Sequence, residues 1–170
     1  VSEEMAKLVT EGLRWYELTE GKVDITVAPL LDLWDFDAED ASIPDAAQII
    51  DCTSRLNSGS VHVSGTIISF DYTDTMLDLG AFLDGYAVDR IKEELQNAEV
   101  ASALIQVGNT AYGMGTKPDG TKWQAEIPKP GGAKGESLKT VDCTDIAVAT
   151  VSIYDHYFEQ NGIIYHYLLD

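Results

Sequence analysis

Two hydrophobic periods follow one another at the start of the chain, and no single kind of secondary structure satisfies both. From Ser2 to Glu20 the apolar residues Met5, Leu8, Val9, Leu13, Tyr16 and Leu18 keep mostly to steps of three and four, which buries one face of a helix that Gly21 ends. In "KVDITVAPL" the period drops to two, with Val23, Ile25 and Val27 alternating against Asp24 and Thr26 until Pro29, the pattern of a half-buried strand. A chain that opens this way has to pack helices against sheet.

The same reading continues downstream. A helix is expected from Pro44 to about Arg55, and "SVHVSGTIISFD" reads as a strand pair around Ser64 and Gly65. "LDLGAFLDGYAVDRI" (77–91) reads as an apolar strand entering Asp78, a turn bracketed by Gly80 and Gly85, and a helix from Tyr86 to about Asn97. With the strand "SALIQVGN" behind it, this is a βαβ-like unit. "KPDG" (117–120) turns between strands near Tyr112 and Trp123, "PKPGGAKG" is a loop, "DIAVAT" is a strand, and a last hairpin crosses "QNG" into "IIYHYLLD". The expectation is a single mixed α+β domain over residues 1–170, with antiparallel-rich sheets and packing helices.

Charge narrows the function. Twenty-nine acids against 11 bases leave a net −18, which repels nucleic acid and any polyphosphate not accompanied by a cation. The richest acidic run, "DLWDFDAED" (32–40), lacks the glycine at position six of a calcium loop and the acid at position twelve, which falls on Ala46. Cys52 and Cys143 form neither a CxxC nor a zinc pattern and read as free thiols; a disulfide between them would need an oxidising compartment. No apolar run approaches the ~20 residues that span a bilayer. "GMG" (113–115) supports neither a dinucleotide fingerprint nor a P-loop. His62, His156 and His166 have no neighbouring Ser or Cys that would make a triad, and the strand-borne His62 and His166 read as surface or hydrogen-bonded residues.

Four segments acquire a meaning together that none has alone. "VDITVAPLLDLWDF", "LDLGAFLDGYAVDRI", "KPDGTKWQAEI" and "DIAVATVSIYDHYFEQNGIIYHYLLD" resemble, in this order and spacing, the ApbE family of FAD:protein FMN transferases. The resemblance implies an enzyme that binds FAD, uses Mg²⁺ to hold its pyrophosphate, and transfers FMN to a Thr or Ser hydroxyl of a target protein with release of AMP. It implies flavin-nucleotide contacts at Val23, Asp24, Asp78 and Asp84, and metal ligation by the Ala81 carbonyl and by Asp170. It implies a parent longer than this chain at both ends, and an exported, lipid-anchored, extracytoplasmic setting.

Several positions depart from the family pattern. Asp84 stands where the family has Lys, reversing a charge near the nucleotide. Tyr167 replaces a His, and His166 points to the opposite strand face. The family's "GGN" falls on Gly108, Asn109 and Thr110, and its "ATSG" on Ala149, Thr150, Val151 and Ser152. The alternative is therefore a catalytically degenerate flavin-binding module built on the same scaffold.

Overall fold

The computed structural model describes residues 1–133 and 135–169, which group into two compact units: Val1–Ala81 with His156–Asp170, and Phe82–Asp155. The first unit opens with α1 (Glu3–Leu18), whose N-terminus is capped by Ser2 Oγ accepting the Met5 N–H at 3.1 Å, and whose first turn carries Glu3 and Glu4 at the positive end of the helix dipole. Its buried face is Ala6, Val9 and Gly12. Gly12 is small because Ile25 packs on it: a Cβ there would lie 2.6 Å from Ile25 Cγ2.

The stretch Val23–Val27 is not a strand. It is a turn leading into α2 (Ala28–Trp34), with Pro29 in the helix's first turn. The cause is Asp24, whose carboxylate accepts the Thr26 N–H at 2.8 Å and so offers the backbone a local partner in place of a ladder. α3 (Ala46–Thr53) starts later than the position of Pro44 suggests, because Asp45 and Gln48 form a reciprocal capping box. A short 3-10 turn, Ser58–Ser60, leads into the hairpin of β1 (Val61–Ser64) and β2 (Ile67–Phe70), as its sequence predicts.

The segment before Gly80 is irregular rather than a strand, and α4 runs unbroken from Gly80 to Asn97. Gly85 is thus a helical residue, with open space where a side chain would stand. The Asp78 carboxylate sets the start by accepting the Gly80 N–H at 2.5 Å.

In the second unit β3 (Ala103–Val107), β4 (Thr110–Met114) and β7 (Ala147–Ala149) form one antiparallel sheet in the order β3-β4-β7, while β5 (Gln124–Pro128) pairs antiparallel with β6 (Ser137–Asp142). The βαβ reading fails: no strand leads into α4, and β3 pairs antiparallel with β4. Ala111, Ala125 and Cys143 form the core under Trp123, Val141 and Val148. Lys92 on α4 lies over the Tyr112 ring at 4.6 Å.

The last hairpin belongs to the first unit. β8 (Tyr157–Gln160) and β9 (Ile163–His166) are joined by Asn161 and Gly162, both at positive φ, as a two-residue turn of this class requires. Phe158 and Tyr165 stack with Trp34 and Phe36, pinning the hairpin to the end of α2. No described helix is long and apolar enough to cross a membrane.

Candidate functional site

The first unit gathers four of the expected site residues, Val23, Asp24, Asp78 and Ala81. Asp24 Oδ1 accepts from the Thr26 N–H, the Thr26 hydroxyl at 2.5 Å and the Ser58 hydroxyl at 2.7 Å, and Oδ2 lies 3.4 Å from the Ser58 N–H. In return Ser58 Oγ accepts the Ile25 N–H, and Thr26 Oγ1 accepts the Asn57 N–H at 2.9 Å. Ser58 is fully buried and Thr26 nearly so. The Asp24 oxygens are thereby committed to protein donors, and the residue shapes the wall of a pocket rather than reaching into it. Val23 is half-buried, its N–H donating to Thr19 Oγ1.

Asp78 joins this assembly through its backbone, donating its N–H to the Ile25 carbonyl at 2.8 Å. Its half-buried carboxylate holds the first residue of α4, and Ala81 follows one position later. Alongside lies a cleft of about 240 Å³ lined by Thr26, Pro29, Arg55, Asn57, Tyr72 and Met76, among others. Its cation is already answered: Arg55 pairs with Asp51 and, at 3.2 Å, with Asp74, and the Asp74 hydrogen bond ahead of the Asp51 charge holds the guanidinium above its ordinary range. Two carboxylates on one guanidinium leave the cleft acidic, which suits a neutral ring or a metal-accompanied phosphate better than a bare anion. Arg55, Tyr72 and Met76 carry no sequence motif; only the scarcity of bases in the chain hinted at Arg55.

Asp84 belongs to the second unit and has a different task. Its Oδ2 accepts the Asn109 N–H at 3.2 Å, and the carboxylate fills the space over Gly108, where any Cβ would overlap it. Asn109 is held from two further sides. Its Nδ2 donates to Asp155 at 3.3 Å, and its carbonyl accepts the Thr150 N–H at 3.0 Å. Asp155 also accepts the Ser152 N–H. The two altered motif stretches, Gly108–Thr110 and Ala149–Ser152, therefore meet, with Thr110 paired to Ala149. Lys at position 84 could not make this contact, because an ammonium cannot accept an N–H.

Of the histidines, His62 pairs with Asp71 at 2.9 Å on the surface, as expected. His166 differs from expectation: it is half-buried, and its Nδ1 has no hydrogen-bond partner among the described residues. Asp170 lies outside the described residues. Among those that are described, no cluster of three His, Cys, Asp or Glu side chains is placed to hold a metal ion. A sparse donor set of a carbonyl and a carboxylate is nonetheless of the kind Mg²⁺ accepts, because that ion keeps several waters and takes the rest of its shell from substrate phosphates.

Comparison with known proteins extends this picture. The sequence matches the model of the ApbE family over residues 1–170. It is 30% identical over 177 residues to the FAD:protein FMN transferase of Vibrio cholerae, and 30% identical over 178 residues to that of Salmonella typhimurium, in each case with 100% of this chain aligned. The chain spans about half the length of these curated relatives, 52% and 50% respectively. Among solved structures, the ApbE protein of Thermotoga maritima superposes with a TM-score of 0.87 at 28% identity, over all of this chain and 56% of that one. The flavinyl transferase ApbE of Pseudomonas stutzeri in its apo form gives 0.81 at 27% identity, over 97% and 51%.

Proposed function

The chain belongs to the ApbE family, and from that premise we propose that it forms part of an FAD:protein FMN transferase that passes FMN from FAD to a Thr or Ser hydroxyl of a target protein and releases AMP. The observation that carries this reading is the joining of Val23–Thr26 to Asp78 beside the acidic cleft of the first unit. Relatives that align along the whole of this chain bear that name.

The residues divide the work by what they can reach. Asp24, Thr26 and Ser58 fix the backbone that forms one wall, and Asp78 fixes the start of α4, whose first-turn N–H groups favour negative charge. The Ala81 carbonyl and Asp170 would hold Mg²⁺. When bound, the ion neutralises the pyrophosphate oxygens, which a protein of net charge −18 could not do unaided. The target hydroxyl then needs only position and a proton acceptor. An extracytoplasmic setting is part of the proposal.

A second reading, a flavin-binding module without turnover, is favoured by Asp84, whose carboxylate serves the β3–β4 turn instead of supplying a positive charge. One experiment separates them. Incubating the chain with FAD, Mg²⁺ and a peptide bearing a Thr or Ser acceptor is expected to give a fluorescent flavin adduct and one AMP per adduct. Quenched flavin fluorescence with neither product would establish the module instead. AMP without adduct would mean that water, not a hydroxyl, takes the FMN. The double variant Asp84→Lys, Tyr167→His is expected to raise transfer if those two positions are what limits it.

A further inference from the structure

The cleft of the first unit has one wall that is tied down and one that is not. Thr26, Cys52 and Arg55 line it from the turn before α2 and from α3 and the turn after it, while Tyr72, Asp74 and Met76 line it from the segment between β2 and α4. That segment is anchored at each end through the backbone. The Asp71 N–H donates to the Ser60 carbonyl at 3.0 Å, and the Asp78 N–H donates to the Ile25 carbonyl at 2.8 Å. Between these anchors, among the described residues, positions 72–77 make one hydrogen bond to the rest of the unit, from Arg55 Nη1 to Asp74 Oδ2 at 3.2 Å. The Thr75 hydroxyl donates to the Tyr72 carbonyl, within the segment. None of the six residues is buried, and Tyr72 is 60% exposed.

Arg55 is the fixed half of this tie. Its guanidinium also pairs with Asp51, one turn back in α3, and its Nε donates to the Asp51 carbonyl at 3.2 Å. The other Arg and Lys ion pairs among the described residues lie within one helix or across the β5–β6 hairpin, where backbone bonds already hold the partners together. The His62–Asp71 pair likewise reinforces an anchor that the backbone makes by itself. Arg55–Asp74 instead spans two segments with nothing beside it. Both of its side chains are more than half exposed, so solvent and salt screen the attraction and local opening costs little. Size gives such opening a purpose: the cleft holds about 240 Å³, below the roughly 300 to 1,000 Å³ usual for small-molecule pockets.

We propose that residues 72–77 are a strap over the cleft, latched by the Arg55–Asp74 pair, and that breaking the pair widens the cleft so that its ligand can enter and leave. That the ligand is a flavin nucleotide rests on the transferase reading above; the latch does not. The backbone anchors at Asp71 and Asp78 act as the hinges, and opening carries Tyr72 and Met76 away from the wall that holds Cys52. Ionic strength therefore controls access.

Cys52 is the reporter, because it lines the cleft, and fully buried Cys143 signals unfolding. The probe is iodoacetamide, a neutral reagent indifferent to the net charge of −18, with alkylation of each cysteine followed by mass spectrometry. Asp74→Asn is expected to raise the Cys52 rate about threefold at about 50 mM KCl. The unaltered chain is expected to approach that faster rate at about 500 mM KCl. Asp51→Asn is expected to stay slow, since Arg55 still reaches Asp74. A Cys52 rate that ignores salt in the unaltered chain overturns the latch, as does an Asp51→Asn chain that reacts as fast as Asp74→Asn. The salt series needs no variant, so it decides the matter even if Asp74→Asn exposes Cys143. With Mg²⁺ present, FAD is expected to protect Cys52, and its association, read by flavin quenching, is expected to be about threefold faster in Asp74→Asn. Unchanged association overturns the gating role. Quenching without protection of Cys52 removes the flavin from this cleft and leaves the salt-dependent latch standing.

Discussion

Two turns in this molecule are held by carboxylates, and they differ in what surrounds them. At residues 24–26 of the first unit, Asp24 serves donors from Thr26 and Ser58 that are almost entirely buried. At residues 108–109 of the second unit, half-buried Asp84 serves one N–H on an exposed hairpin. Both acids lie in segments that resemble the family, Asp84 at a position where the family has Lys, yet the first is a structural keystone and the second a light clasp. Burial decides the difference, because a donor stranded away from water costs its full desolvation penalty and a donor at the surface finds solvent.

The sharpest break of this comparison is Asp24→Ala, which leaves the Ser58 and Thr26 hydroxyls and N–H groups short of an acceptor. Urea unfolding is expected to show a loss of about 3 kcal/mol, and a value near zero would erase the contrast. Next in size is Gly108→Ala, which combines a Cβ at positive φ with overlap against Asp84, for an expected loss of about 2 kcal/mol. In an Asp84→Ala background the same change is expected to cost about 1 kcal/mol less, and a double-mutant cycle measures the coupling. Asp84→Ala alone is expected to cost no more than about 1 kcal/mol.

Smaller effects sharpen the comparison chemically. Cys143 is fully buried, and that burial, ahead of other influences, pushes its thiol up, whereas Cys52 is half-buried. A thiol reagent is therefore expected to modify Cys52 first, with Cys143 following only on unfolding. Last comes pH. A hydrogen bond from Lys122, then one from Gln124, lowers the Asp142 carboxyl, and Lys129 followed by the Ala133 N–H lowers Glu136. Groups lowered in the folded state contribute stability above their unfolded values and lose it as the pH falls through the folded ones. The β5–β6 hairpin is thus expected to loosen slightly below about pH 4, and less so in high salt, as amide exchange would report.

Much of the scaffold was legible because the signals were local. Ser2 and Gly21 bracket α1, Gly65 turns β1 into β2, and Asn161–Gly162 turn β8 into β9. Where the partner is distant, the pattern misleads. Val23–Val27 alternates like a strand, but the alternation exists because Asp24 turns inward to Ser58, 34 positions away. The paired glycines of 80–85 read as a turn because sequence alone does not show that Asp78 caps the helix ahead of them. β6 escaped notice because its residues are nearly all exposed and carry no apolar alternation. In the site, the meeting of the 23–26 segment with Asp78 was foreseeable from the family motifs, while the Arg55–Asp74 pair brings together residues whose sequence neighbours give no sign of each other.

The carboxylate lodged above Gly108 also constrains the order in which this hairpin can change over evolutionary time. While Asp84 stays, position 108 is closed to every residue with a side chain, so a substitution there has to wait until the acid has left. History at these two sites runs through position 84 first, and even with the acid gone the positive φ at 108 keeps the choice there narrow.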